Sequence, residues 1–399
     1  MGHVVPGPRK IHSISSAEIP SIVENGKPSV IAGVEVLTSF NWLNAESPTI
    51  LIPGCPPKYT EPSRDTKLRR DEGSKVNDAS SEHYSAYPPE PAVRALLHTR
   101  PSYSDVEVDV FGCGNTFTSL LYFVSDIERD FRFSVQRIGK TLFLVRQTFV
   151  TDIDFGVSRG YNRAFAKAYT IWEGDAKNSN SHQRVLRYDL AGFKCVVRGE
   201  CDAYLPDKLH EFQSRQPACE ASEKHEEKTE AGCSSTAAQE KVPTSTASLT
   251  LLSGGCDIPH DALVSIETRA SYNQRDPARG YQLPRLWLRR TPNLMTAIHV
   301  FGTFEKHNRS IRNVKAGVKA WETENTETIS KLRNILQKLV EISSIDDQDR
   351  IEVRRRSSGP LEIWSARPGW SALPEELRAR WTDAMSEDTV RPSMNDGAM

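Results

Sequence analysis

The period of the hydrophobic positions changes several times along the chain, and each change marks an element. Residues 31–53 hold a patterned stretch (Ile31, Val34, Val36, Phe40, Trp42) and a short apolar run that Pro53, Gly54, Pro56 and Pro57 end. The spacing predicts a helix over 92–98 and a strand over 106–111 ending at Gly112 and Gly114. Another helix follows to Val124, capped by Asn115. Alternation over 131–147 about Gly139 and Lys140 reads as a β-hairpin, and 164–173 reads as a helix with Phe165, Tyr169 and Trp172 on one side. A second hairpin runs through 184–189 and 193–204 about Ala191 and Gly192. The strand pattern returns at 262–270, then come a helix over 283–290 and a strand over 294–301.

Val314, Val318, Trp321, Ile329, Leu332, Leu336 and Leu339 then fall on one stripe of a long helix over 312–342. Such a stripe packs on the domain's own sheet or meets a protein partner. A last hairpin occupies 351–355 and 361–366, and Pro374 opens a short helix to Trp381. Helices interleaved with strands in this order predict an α/β fold, a mixed sheet with flanking helices.

Composition divides the chain further. Over 207–255 Glu, Lys, Ser, Thr and Ala dominate and aromatics cease after Phe212, which predicts a disordered insertion between two strands of one sheet, with binding to a partner as its possible use. The same reasoning makes 1–30 an extended N-terminal arm, 58–86 a mobile loop and 383–399 a flexible tail around one domain over 31–382. No apolar run is long enough to cross a bilayer, and the first residues lack the apolar core of a signal peptide. Pro6 breaks the myristoylation pattern, so the expectation is an intracellular protein of nucleus or cytoplasm with no membrane partner. A net charge of −1 supplies no global basic field, which leaves nucleic-acid contact to local clusters such as Arg285, Arg289 and Arg290. The seven cysteines form no CxxC pair, which speaks against a disulfide framework and structural zinc and predicts inert thiols.

Candidate chemistry gathers on the strands flanking the insertion. Glu200 and Asp202 stand at i and i+2 on one strand face, and Glu267 and Arg269 repeat that spacing beyond the insertion. Glu173 ends the aromatic helix upstream. Carboxylates converging from a helix and two adjacent strands would hold Mg²⁺ or Mn²⁺ and activate water for phosphodiester cleavage. Alternating charges on a strand equally describe a sheet with one solvated face. Gly112-Cys113-Gly114 fits a strand-ending turn better than a phosphate loop, since no GxGxxG or GxxxxGK[ST] is present. Cys113 has no identifiable histidine partner, and His182, His260 and His299 lack HExxH spacing. The run Arg354, Arg355, Arg356 fits a solvated hairpin end.

A helix-borne Glu, then Gly-Glu-hydrophobic-Asp, then an acidic strand resembles the DXO-like family of decapping nucleases and 5′–3′ exoribonucleases, whose fold is similar to the PD-(D/E)XK nuclease superfamily. Gly199 to Asp202 is the close match, Tyr169 to Glu173 matches with Tyr169 in place of a glycine, and the Trp-bearing stretch from Leu286 to Phe301 resembles the segment after the family's last catalytic strand. The resemblance implies metal-dependent cleavage at RNA 5′ ends, with Glu173, Glu200, Asp202 and Glu267 as metal ligands and Arg269 on the phosphate. The family's lysine is missing. In one register Glu267 is the acid and Arg269 replaces the lysine; in the other Ser265 and Glu267 replace acid and lysine. Arginine stays charged and cannot act as a tuned base, so a nuclease-like module that binds RNA or protein without catalysis is the alternative. The chain also resembles fungal proteins that carry a geranylgeranyl pyrophosphate synthase label. That chemistry needs two DDxxD motifs on an all-helical fold, whereas Asp346, Asp347 and Asp349 are followed by Arg350 and no second motif exists.

Overall fold

The structure, a computed structural model, describes residues 7–22, 29–71, 83–84, 86–103, 108–146, 160–215, 240–241, 249–272, 282–345, 350–366 and 369–383. Strand β1 (Lys10–Ile14) opens it, followed by β2 (Ile31–Leu43), β3 (Thr49–Gly54), and the two-residue strands β4 (Lys58–Tyr59) and β5 (Thr66–Lys67). Helix α1 (Glu90–Thr99), β6 (Val110–Cys113), α2 (Gly114–Val124), β7 (Phe131–Ile138) and β8 (Thr141–Val145) come next. The middle holds α3 (Asn162–Tyr169), β9 (Thr170–Ile171), β10 (Ser179–Leu190), β11 (Phe193–Cys201), β12 (Ala203–Tyr204) and α4 (Pro206–Arg215). After β13 (Glu240–Lys241) and β14 (Thr250–Gly255) come β15 (Leu263–Ala270), α5 (Gln282–Arg289), β16 (Asn293–Val300) and β17 (Thr303–Asn313). Helices α6 (Lys315–Glu324) and α7 (Thr326–Ile342), the hairpin β18 (Arg350–Arg355) and β19 (Leu361–Ser365), and α8 (Glu375–Asp383) complete it.

Among the described residues these strands form two mixed sheets. The larger runs β1-β19-β18-β7-β8-β6-β11-β10-β2-β3-β14-β13, and the smaller β5-β17-β16-β15-β12-β4-β9. Strands β6, β8 and β11 are parallel at the centre of the larger sheet and carry apolar side chains on both faces, because helices cover both sides. On one face α2, α5, α6 and α7 bring Phe117, Leu120, Trp287, Val318, Leu332 and Leu336 into one cluster with Val135, Leu144, Leu186 and Val197. On the other, α1 and α8 bring Val93, Leu96, Leu377 and Trp381 onto Phe40, Phe111, Phe143 and Val196. The smaller sheet packs Val264, Ile266, Met295 and Ala297 against Phe165 and Tyr169 of α3.

Several expectations change. The long helix over 312–342 is two helices that meet at Asn325, and their apolar residues Val318, Ile329, Leu332, Leu336 and Leu339 are buried in the chain's own core. That burial uses up the stripe on which a partner would have docked. The N-terminal arm supplies β1, which pairs antiparallel with β19 at the sheet edge. The segment expected as a loop supplies β4 and β5. Within the expected insertion, β14 runs parallel to β3 with Leu251 and the preceding Leu249 buried, and α4 begins the segment; residues 216–239 and 242–248 lie outside the described residues. So do Asp346, Asp347 and Asp349. The strand expected over 193–204 is divided between the two sheets: the chain leaves the larger at Cys201 and enters the smaller at Ala203, where β12 pairs with β15 across the expected insertion. Cys55 and Cys256, expected as free thiols, form a disulfide between the ends of β3 and β14, which the parallel register Gly54↔Gly255 brings together. Cys113, Cys195 and Cys201 are free and buried.

Candidate functional site: carboxylates and arginines where the two sheets meet

Asp202 sits at the crossing between sheets, outside any strand, with its backbone freed from the ladder. Its carboxylate turns toward β15, where Oδ2 accepts from the Ser265 hydroxyl at 2.7 Å and from the Ile266 amide at 2.8 Å. The two-residue period of β15 sends Ser265, Glu267 and Arg269 to one face. Glu267 is 8% exposed, and its Oε1 takes the Arg269 guanidinium at 3.1 Å, while its Oε2 has no hydrogen-bond partner. Thr296, directly opposite in the parallel register, likewise leaves its hydroxyl without a partner. Burial pushes the Glu267 carboxyl up, and the charges of Arg269 and Arg285 oppose that.

Helix α5 lies over this face. Arg285 and Arg289 are one turn apart and so project on the same side. Arg289 crosses Gly199, where a Cβ would stand 3.2 Å from its Cγ, and donates toward the Glu200 carbonyl at 3.4 Å and the Asn115 amide oxygen at 3.5 Å. Asn115 therefore serves Arg289 from the first turn of α2, whose N-cap residue is Cys113 and not Asn115. Arg285 feels the like charge of Arg289 first, which with desolvation lowers its pKa, while Asp202 and Glu267 draw it the other way. A small cavity beside Arg289 is lined by Arg184, Gly199, Glu200, Cys201 and Thr291.

The predicted residues are thus only partly assembled. Asp202, Glu267 and Arg269 share the junction with Ser265, and Glu200 lies next to it with an exposed side chain. Glu173 stands apart. Helix α3 stops at Tyr169, the β-branched Thr170 and Ile171 extend the chain into β9, and the Glu173 carboxylate pairs with Lys58 at 3.2 Å and reaches the Tyr204 hydroxyl. Sequence reasoning missed Lys58, which sat in a stretch with no periodic pattern, and Gln282, which also faces Glu267. The parity shared by 265, 267 and 269 was the signal for Ser265.

Among the described residues no three His, Cys, Asp or Glu side chains converge as a metal-holding group. The donor set explains why. Glu200, Asp202 and Glu267 are matched by Arg269, Arg285 and Arg289, and Asp202 Oδ2 and Glu267 Oε1 already accept hydrogen bonds from the chain. A divalent ion there would face guanidinium groups, so the residues present do not fit a four-carboxylate metal centre.

No curated protein matches the chain. Its fold is similar to Scheffersomyces stipitis Rai1, solved with (3'-NADP)+ and calcium ion, at a TM-score of 0.57 and 11% identity over 96% of this chain and 100% of that one. It is similar to Candida albicans Rai1, solved with pU5 and Mn²⁺, at 0.54 and 10% over 95% and 100%. S. pombe Rai1, solved with 3'-FADP, gives 0.55 and 8% over 89% and 99%. The mixed α/β architecture is therefore the fold of these proteins, as the sequence led us to expect. The family model described as "Domain of unknown function (DUF8563)" matches residues 12–381, and the chain belongs to that family.

Proposed function

We propose that this protein binds RNA 5′ ends on a nuclease fold, meeting the phosphate charge with arginines of α5 and β15 while metal-dependent cleavage is impaired. One observation carries the reading: Ser265 lies beside Asp202 and donates to its carboxylate together with the Ile266 amide, which supports the register with Ser265 in the acid's place. Serine cannot replace a carboxylate as a hard-metal ligand of full charge. In the same register Glu267 stands where the resemblance calls for a lysine and is neutralised by Arg269. Arginine suits this role, since its planar fork pairs with phosphate oxygens without needing a proton transfer. The similar structures solved with pU5, 3'-FADP and (3'-NADP)+ support nucleotide phosphates as the ligand class for the fold.

The test is degradation of 5′-phosphorylated and capped RNA with Mn²⁺, beside the Glu200→Ala/Asp202→Ala double variant, with binding followed in parallel. Binding without turnover is the expected result. Mn²⁺-dependent degradation that disappears in the double variant would overturn the proposal and restore a working nuclease.

A further inference from the structure

The face of the smaller sheet that carries Glu267 and Arg269 does not end at them. Alternation along β16 places Thr296, Ile298 and Val300 on that same face, with Glu267 opposite Thr296 and Arg269 opposite Ile298. Helix α5 covers the Leu294 end of the row, and the other end is open: Ile298 is 38% and Val300 49% exposed. Two aromatic rings close the open end. Phe301, at the tip of the β16–β17 hairpin, is 83% exposed, and Tyr272, just beyond β15, is 88% exposed. The parallel register Ala270↔His299 and the Ser271 amide donating to the His299 carbonyl put the two tips side by side.

The hairpin tip is anchored rather than loose. Phe301 has φ +47°, a left-handed conformation unusual for a bulky residue, and Gly302 follows at φ +85°. At Gly302 a Cβ would meet Tyr161 Cε1 at 2.5 Å and the Leu68 carbonyl at 2.7 Å, so the backbone lies directly on its support. The Gly302 amide donates to His299 Nδ1, and the His299 ring packs tilted against Tyr161 with centroids 4.4 Å apart. A buried aromatic base thus holds the turn while its Phe ring points to solvent.

Exposed rings continuing a row of arginines are the arrangement that single-stranded nucleic acid uses, with cations on the backbone and rings under the bases. We infer that Phe301 and Tyr272 form a nucleobase-stacking platform for single-stranded RNA whose 5′ end lies at Arg269, Arg285 and Arg289. The inference rests on the proposed RNA-binding function. Four residues of strand separate Thr296 from Val300, roughly 13 Å. An oligonucleotide spans that distance and a dinucleotide held by its 5′ phosphate does not.

Fluorescence anisotropy with a 5′-phosphorylated dinucleotide and a 5′-phosphorylated octanucleotide tests it. The unsubstituted protein should bind the octanucleotide more tightly. Tyr272→Ala and Phe301→Asn, the latter chosen because Asn accepts the left-handed backbone, should each weaken octanucleotide binding roughly tenfold and leave the dinucleotide unchanged. Equal affinity for both lengths, or octanucleotide binding that survives both substitutions, overturns the platform and leaves the 5′-end site standing. Binding of neither ligand removes the 5′-end reading and the platform with it. If Phe301→Asn converts a dimer to a monomer with RNA binding intact, the rings serve a second copy of the chain and the inference fails.

Discussion

Arg289 occupies the space that Gly199 leaves: a methyl group on Gly199 would stand 3.2 Å from the arginine's Cγ. The glycine before the Glu200–Asp202 pair thereby lets a cation from α5 cross the carboxylate strand and settle on the Glu200 carbonyl and Asn115. Gly199→Ala should push Arg289 off these contacts by a few tenths of an ångström. Affinity for 5′-phosphorylated RNA should fall about fivefold, on the order of 1 kcal/mol, as expected when a charge-assisted contact is misplaced. Thermal melting should move little, and an unchanged Kd would show that Arg289 does not touch the ligand.

The two carboxylates of the Gly-Glu-Cys-Asp stretch should differ in what they do for stability. Glu200 is exposed, whereas Asp202 satisfies a hydroxyl and a backbone amide across the junction. Asp202→Ala should cost about 1–3 kcal/mol in urea unfolding because the Ile266 amide loses its partner. Glu200→Ala should stay within about 0.5 kcal/mol. Equal losses for the two would contradict the placement of Asp202.

Stability should decline in mild acid through His182. This imidazole is 3% exposed, hydrogen-bonds Asn41 at 2.6 Å and lies beside Arg184; burial and that charge push its pKa down to about 3. At pH 7 the ring is neutral in the folded chain and mostly neutral in the unfolded one, so it contributes little pH dependence there. Between its unfolded value near 6.5 and about 3, the unfolded chain binds a proton that the folded chain refuses. The slope from this residue should approach about 1.4 kcal/mol per pH unit, lost as pH falls. Chemical unfolding at pH 7 and pH 5, compared with His182→Gln, measures it. A wild-type decline that the variant shares in full would assign the effect elsewhere.

Helix α6 should depend on one buried carboxylate. Glu322 Oε1 accepts from the Trp287 indole at 2.8 Å and from the Ile31 amide at 2.9 Å, tying α6 to α5 and to the start of β2. The Ile31 amide, Lys319 and Trp287 hold its pKa below the ordinary range despite burial. Glu322→Ala leaves two donors unpaired and should destabilise by about 2–4 kcal/mol, with Glu322→Gln recovering part of the loss. A neutral alanine variant would show that these contacts are dispensable.

Much of the fold was legible because its period changes were sharp. The hairpins at Gly139 and Gly192 and the helix beginning at Gln282 all carry local punctuation next to a clear alternation. The crossing at Asp202 was not legible, since a strand that leaves one sheet and enters another keeps the same alternation throughout. Strand β14 escaped notice because its six residues, Thr250–Gly255, follow a long polar stretch and end in two glycines. At the site, parity placed Ser265, Glu267 and Arg269 on one face but left their register open, because a period of two is the same in either alignment. The end of the helix before Glu173 was not legible either: it closes at Tyr169, and the carboxylate pairs with Lys58, which no periodic pattern marked.

Whether arginines do here what a divalent metal would otherwise do is tested most directly by anisotropy of a fluorescent 5′-phosphorylated oligonucleotide in EDTA and in Mn²⁺ across a salt series. The account predicts the same affinity in both. It also predicts that Arg285→Ala/Arg289→Ala lowers the slope of log K against log salt by about 1.4, the release of two counterion equivalents. Binding that vanishes in EDTA and returns with Mn²⁺ would contradict it.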